Sequence, residues 1–327
     1  PVAALAAGAV ALGALALGAL NLPGDLKQED AFVDRPESVT AMLTLADAYP
    51  ESSSQPVTVM TPADRAEVTR KAATATEGVE SAHIGRTGGG WAEVSVIASA
   101  PPQTDAETRT IESLRDTLDG SYVGGASAQQ IDLEKTNARD QKVVVPIVLL
   151  SVMLILIVLL RSLVAPLMLV AAVVAVWGAS LGIGGLVFEP LFGFEGTDPA
   201  LGLLSFVFLV ALGVDYGIFL IHRMREESQG GAEPAEAALT ALRTTGGVIA
   251  SAGLVLAATF AVLMNMGLVS LVQLGFVIAI GVLLDTFLVR TYLVTSASVA
   301  LGRKVWWPGP MSKEPDSQTP AREPVNV

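Results

Sequence analysis

Cysteine is absent from the 327 residues, which excludes disulfides, thiolate metal sites and cysteine nucleophiles. Histidine is nearly absent. His83 and His222 lie far apart, so a histidine metal cluster is not expected, and nothing points to a metal or another cofactor. Charged residues make up only 16% of the chain and leave a net charge of −12. Phosphate binding needs basic patches, so nucleic acid is not an expected partner. No Ser-His-Asp set and no phosphate-cradling loop is visible, which disfavours an enzyme acting on lipids. What is present is apolar: 51% hydrophobic residues and a mean hydropathy of +0.55 suit a membrane protein with a sizeable polar portion.

Six stretches are apolar enough to cross a bilayer, where about 20 helical residues span roughly 30 Å. They are Val2–Leu22, Val143–Leu160, Leu163–Phe188, Leu201–Ile221, Gly246–Met264 and Leu268–Leu288, the last continuing helical to about Ala300. The second contains Pro146 and extends upstream through a polar helix, Ala126–Gln141. The first has signal-peptide-like alanines but no basic leading region, and its apolar run is longer than a signal peptide needs. It reads as a true span. A start at Pro1 in mid-hydrophobic sequence reads as a truncation. Loop charges orient the chain. Arg161, the segment His222–Arg243, and Arg290, Arg303 and Lys304 fall on one side. The loop Glu189–Pro199, without Lys or Arg, falls on the other. The positive-inside rule then places residues 23–140 outside the cytoplasmic membrane and the C-terminus in the cytoplasm.

Residues 23–140 hold most of the acidity: from Pro23 to Lys142 there are 20 acidic and 11 basic residues, a net of −9. Pro56–Met60, Val79–Arg86, Trp91–Ala100 and Ser121–Gly124 read as strands. Ala63–Glu77 and Asp105–Leu118 read as helices, the latter with Ile111, Leu114 and Leu118 on one stripe. The order βαββαβ is that of a ferredoxin-like split βαβ unit. Pro36–Tyr49 reads as a helix ahead of it. Residues 141–300 form a bundle of five spans. Residues 301–327, rich in Pro, Ser and charge beyond Trp307, read as a disordered cytoplasmic tail.

One residue breaks the apolar pattern. Asp215 lies in the span Leu201–Ile221, six residues or about 9 Å from its cytoplasmic end. A charged side chain at a helix centre costs roughly 2.5–3.5 kcal/mol on insertion scales, so it is kept for ion or proton carriage or for pairing within a bundle. Its helix face holds Phe208, Ala211, Leu212, Phe219 and His222. A carboxyl in apolar surroundings can load and release protons near neutral pH. Tyr216 follows it, turned by about 100°. Gly213 and Gly217 share a face and suit close helix packing. Ser251, Thr259 and Asn265 read as packing residues that alternatively line a proton or water path. Asp285 and Arg290 stand about 140° apart on an α-helix, so Asp285 is expected to form a structural or gating ion pair with another helix, with proton carriage as the alternative. His222, at the rim, is an interfacial residue or a proton relay towards the cytoplasm. Trp91, Phe32 and Tyr49 read as core packing, with the border of a substrate cavity as the alternative.

The run Gly213-Val-Asp-Tyr216 with Phe219 and His222-Arg-Met-Arg-Glu-Glu227 resembles the C-terminal half of the MMPL family (mycobacterial membrane protein large) of the resistance–nodulation–division (RND) transporters. So do Leu159–Pro166, Tyr122–Gly125 with Asp132, Thr245-Gly-Gly247, and Leu284–Arg290 ahead of Trp306-Trp307. The resemblance covers roughly residues 1–308. It implies half of a twelve-span, proton-driven exporter of lipids or other hydrophobic molecules, with a porter domain outside the membrane and Asp215 and Tyr216 as proton relay. It also implies that a missing N-terminal half, or a second copy, supplies the other Asp-Tyr pair. A departure is Thr295, where the family tends to have proline. The alternative is an RND-type lipid-sensing or protein-export accessory without its own transport cycle.

Overall fold

The computed structural model describes residues 2–48 and 56–312. The chain divides into two compact units, Leu26–Asp140 and the combined segments Pro1–Asp25 and Gln141–Val327. Helix α1 is Val2–Leu17, prolonged by a 3-10 turn over Gly18–Asn21. Then come α2 (Glu37–Ala48), β1 (Val57–Pro62), α3 (Ala66–Ala75), β2 (Val79–Gly88), β3 (Trp91–Ala98), α4 (Asp105–Thr117) and β4 (Tyr122–Gly124).

In the unit Leu26–Asp140 the four strands form one antiparallel sheet in the order β2-β3-β1-β4. Alternation builds it. Val57, Val59, Val94 and Val96 point inward and are almost fully buried, while the residues between them are more open. Ala73 of α3 and Ile111 and Leu114 of α4 pack onto that inner face. The β2–β3 hairpin turns on Gly89 and Gly90, whose φ values of +60° and +85° suit a two-residue turn that side-chain-bearing residues resist. Thr104 caps α4 by accepting from the Glu107 amide, and the buried Glu107 carboxylate accepts from the Gln103 amide. Trp91 is not core: it is 38% exposed and lies against Tyr122, ring centres 5.8 Å apart, because position 91 points away from the helices. The predicted helix end at Tyr49 lies outside the described residues.

Among the described residues, six helices are long and apolar enough to cross a membrane: Val2–Asn21, Ala126–Leu160, Val164–Val187, Leu201–Gln229, Pro234–Asn265 and Val269–Trp306. The second is one helix, α5, which carries Pro146 inside it. Helix α6 (Val164–Val187) is the hub, packing on α1 through Gly182 and Gly185, where added Cβ atoms would run into the backbone of Leu15 and Gly18. Helix α7 (Leu201–Gln229) continues two turns past the predicted end at Ile221. Helix α8 (Pro234–Ala261) begins twelve residues before the predicted span. The polar stretch between the two apolar runs is therefore the ends of two long helices, broken at Gly230 and Gly231. Helix α9 (Val269–Leu283) runs into a π-helical segment, Leu284–Val294, and then α10 (Thr295–Leu301).

Two clasps close the loops. The fully buried Gln273 of α9 donates to the Gly196 carbonyl at 2.7 Å and accepts from the Asp198 amide at 3.0 Å. Ser162, between α5 and α6, donates to Val305 O at 2.6 Å and lies 3.2 Å from Trp307 O, while the Leu163 amide donates to Trp307 O at 2.8 Å. This corrects the reading of 301–327 as disordered throughout. Gly302–Trp306 and Pro310–Ser312 are 3-10 turns, and Trp306 is buried in the bundle core, because one indole supplies the apolar surface that the composition lacks. Residues 313–327 lie outside the described residues.

Candidate functional site

The π-helical segment decides the geometry. A π turn bonds five residues apart rather than four, so residues i and i+5, divergent on an α-helix, return to one face. Arg290 donates from Nε to Asp285 Oδ2 at 2.9 Å and from Nη2 to the same oxygen at 2.5 Å. Both side chains are buried, at 3% and 10% exposure. Asp285 thus pairs within its own helix, and the expectation of a partner on another helix is corrected. The wider turn is the reason.

Arg290 also ties this helix to α7. Its Nη2 donates to the Gly213 carbonyl, and its guanidinium carbon stands 5.5 Å from the centre of the Tyr216 ring. The glycines on α7 make room for this. A Cβ at Gly213 would meet Val173 Cγ2 at 2.9 Å, and one at Gly217 would meet Leu169 Cδ2 at 3.0 Å and Arg290 Nη1 at 3.5 Å. Beside the pair is a small cavity of about 10 Å³, lined by Val173, Leu209, Gly213, Tyr216, Val282 and Asp285 among others. That is close to the least space that holds one water molecule.

Asp215 points elsewhere. It is exposed, and among the described residues it has no hydrogen-bond or ion-pair partner. Phe208, Ala211, Phe219 and His222 on the same stripe are also exposed, and Leu212 half-buried. The apolar face read from the sequence exists, but this chain does not cover it, so apolar burial of Asp215 within the chain is corrected. Tyr216, one position on, is half-buried and turned inward to Arg290. The two neighbours therefore face opposite ways.

The remaining candidates stand apart. Ser251 is exposed on α8 and its hydroxyl donates to Val248 O at 3.0 Å. Thr259 and Asn265 likewise satisfy themselves on their own helix. His222 is exposed, 3.6 Å from Glu226 one turn on. The structure brings together Gly213, Tyr216, Gly217 and Asp285, and adds Arg290 as the centre of the group. Sequence reasoning set Arg290 about 140° from Asp285 on an α-helix and so kept it out of the site. A pair five residues apart carries no signal under a 3.6-residue period. Among the described residues, no group of three or more His, Asp or Glu is placed to hold a metal.

Residues 91–321 match the model of the MMPL family. The chain belongs to the MMPL family. It is 42% identical over 302 residues to membrane protein ActII-3 of Streptomyces coelicolor, covering 90% of this chain and 42% of that protein. It is 41% identical over 196 residues to the apo-petrobactin exporter of Bacillus anthracis, across 60% of this chain and 26% of that one. It is 43% identical over 176 residues to the sulfolipid-1 exporter MmpL8 of Mycobacterium tuberculosis, across 54% and 16%. This MMPL chain therefore spans less than half the length of these relatives. With six span-length helices among the described residues and relatives named as membrane proteins, it is a multi-pass membrane protein.

Proposed function

We propose that this chain is the C-terminal half of a proton-motive-force-driven exporter that moves lipids or other hydrophobic molecules across the cytoplasmic membrane. The observation that carries the reading is the division of labour on α7. Tyr216 turns inward onto the buried Asp285–Arg290 pair, while Asp215 turns outward on an uncovered apolar stripe. An acid without partners on such a stripe is costly in a bilayer, and a second Asp-Tyr unit on a facing helix gives it a hydroxyl donor. Asp215 then takes a proton, and the charge change at that face is felt through α7 by Tyr216 and Arg290. Rocking of the bundle moves the substrate, as in midplane-coupled transporters. The exporter names of two relatives support export, and one of them names a lipid-class cargo. The missing half, or a second copy, is the expected partner. Gly213 and Gly217 serve helix packing; Ser251 and His222 stand as secondary relay or gating candidates.

The order β2-β3-β1-β4 with α3 and α4 on one face supports reading residues 23–140 as a ferredoxin-like porter domain. Loop charges support placing it outside the cell and residues 301–327 in the cytoplasm.

The test uses the native polypeptide from its source membrane, reconstituted in vesicles with an entrapped pH dye. Asp215→Asn is expected to abolish proton uptake and export while leaving the melting temperature unchanged. Retained uptake in that variant overturns the relay. The mass of the native polypeptide separates the two forms of partner: about double the 33.8 kDa of this chain means one long protein, and the same mass means a pair of halves.

A further inference from the structure

The segment Leu284–Val294 keeps a register that its neighbours do not. In the α-helical spans, Ser180, Thr245, Thr259 and Ser298 donate their hydroxyls to the carbonyl four residues earlier. Here Thr291 donates to Thr286 O at 3.3 Å and Thr295 to Arg290 O at 2.9 Å, each five residues back. That is also the spacing of Asp285 and Arg290. The helix thus has two hydroxyl bonds and one ion pair that all favour the same register. The neighbouring helix allows it. A π turn is wider than an α turn, and α8 meets the segment at Gly253, where an added Cβ would run into Thr286. π-Helices are rare and occur mostly as single turns inside α-helices, frequently at functional sites. Neither Pro nor Gly interrupts this eleven-residue one, so its register is held by side chains.

We propose that Thr291 and Thr295 are positioning residues whose hydroxyls hold the last span in the π register and thereby keep Arg290 on Asp285 and Tyr216. Their hydroxyls bond backbone carbonyls and none of the three site side chains, so they act through the register alone. A relaxation to α geometry swings positions 285 and 290 about 140° apart and releases Arg290 from the pair. Thr295 is thus more than a substitute for a helix-ending proline. The functional consequence rests on the proton-coupling reading above; the register itself does not.

The test compares the native polypeptide with Thr291→Val/Thr295→Val, which keeps shape and removes both hydroxyls, and with Thr291→Ser/Thr295→Ser, which keeps them. Proton uptake, melting temperature and amide exchange across residues 284–295 are read on all three. The valine variant is expected to lose uptake by about 100-fold, the scale of loss when a working group is misplaced by about 1 Å, and to melt lower, because the released Asp285 is left buried without its partner. Its amide exchange is expected to change by about tenfold, as a locally remade segment does. The serine variant is expected to follow the wild type in both. Wild-type uptake in the valine variant, equal loss in both variants, or identical exchange in all three overturns the proposal. If the wild type takes up no protons, the coupling reading fails, and exchange alone then decides the register. Should the double valine variant not fold, Thr295→Val alone is judged by the same exchange comparison.

Discussion

The two units use charge in opposite ways. In Leu26–Asp140 the ion pairs lie at the surface. Arg115 grips Asp132 through two bonds of 2.7 and 2.8 Å, and Lys135 meets Glu112 at 2.6 Å, yet Asp132 is 57% and Lys135 59% exposed. In the membrane unit, the pair Asp285–Arg290 is sealed among helices. Water screens a surface pair and replaces either partner when it is lost. A buried pair has no such substitute. The lesson is that the unit Leu26–Asp140 is held by its valine-lined sheet and decorated with charge, whereas the geometry of the membrane unit depends on where one arginine sits.

Removing one partner of the buried pair is the sharpest way to test that contrast. Arg290→Met leaves Asp285 unpaired and is expected to destabilise the bundle by about 3–5 kcal/mol, read as a fall in unfolding midpoint in detergent. Replacing both, Asp285→Leu with Arg290→Met, is expected to recover most of that stability, because a well-packed apolar pair of similar volume is often neutral. It is not expected to recover proton uptake. A bundle indifferent to Arg290→Met erases the contrast. Next in size is Gly217→Leu, which forces side-chain carbons against Leu169 and Arg290. Overpacking of this kind costs about 1–3 kcal/mol, and the same melting measurement checks it. Smallest is Asp132→Asn in the unit Leu26–Asp140, expected at about 1 kcal/mol or less and shrinking further with added salt.

Acid sharpens the comparison from the other side. The hydrogen bonds from Arg115 hold the Asp132 carboxyl below its ordinary range, and the one from Lys135 does the same for Glu112. A carboxyl with a depressed folded-state pKa adds stability that is present above the unfolded range and lost as pH falls through the folded value. Amide exchange over residues 105–135 is therefore expected to quicken as pH falls below about 4, after correction for the intrinsic rate. Asp132→Asn is expected to flatten that dependence.

The sequence made the membrane spans legible because long charge-free runs have few other uses. It made the strands legible because Val57, Val59, Val94 and Val96 alternate with more open positions. Helix ends were read less well. The apolar run stops at Ile221, but the helix does not, since its polar continuation meets no glycine until Gly230. Asp215 and Tyr216 stood out by chemistry, yet their opposite directions depend on which face of α7 the neighbouring helices cover. The Asp285–Arg290 pair was hidden for a stricter reason. Periodicity arguments assume an α-helix, and under that assumption the two residues diverge. Nothing in the spacing of Thr286, Thr291 and Thr295 announces a π register until the hydroxyls are seen bonding five residues back.

The clasp at Ser162 sets where this chain tolerates attachments. A fluorescent reporter or affinity handle fused after Leu301, at the apparent end of the last span, replaces the carbonyls of Val305 and Trp307 that Ser162 grips and takes Trp306 out of its seat. A junction beyond Ser312, eleven residues further along, leaves both carbonyls and Trp306 in place.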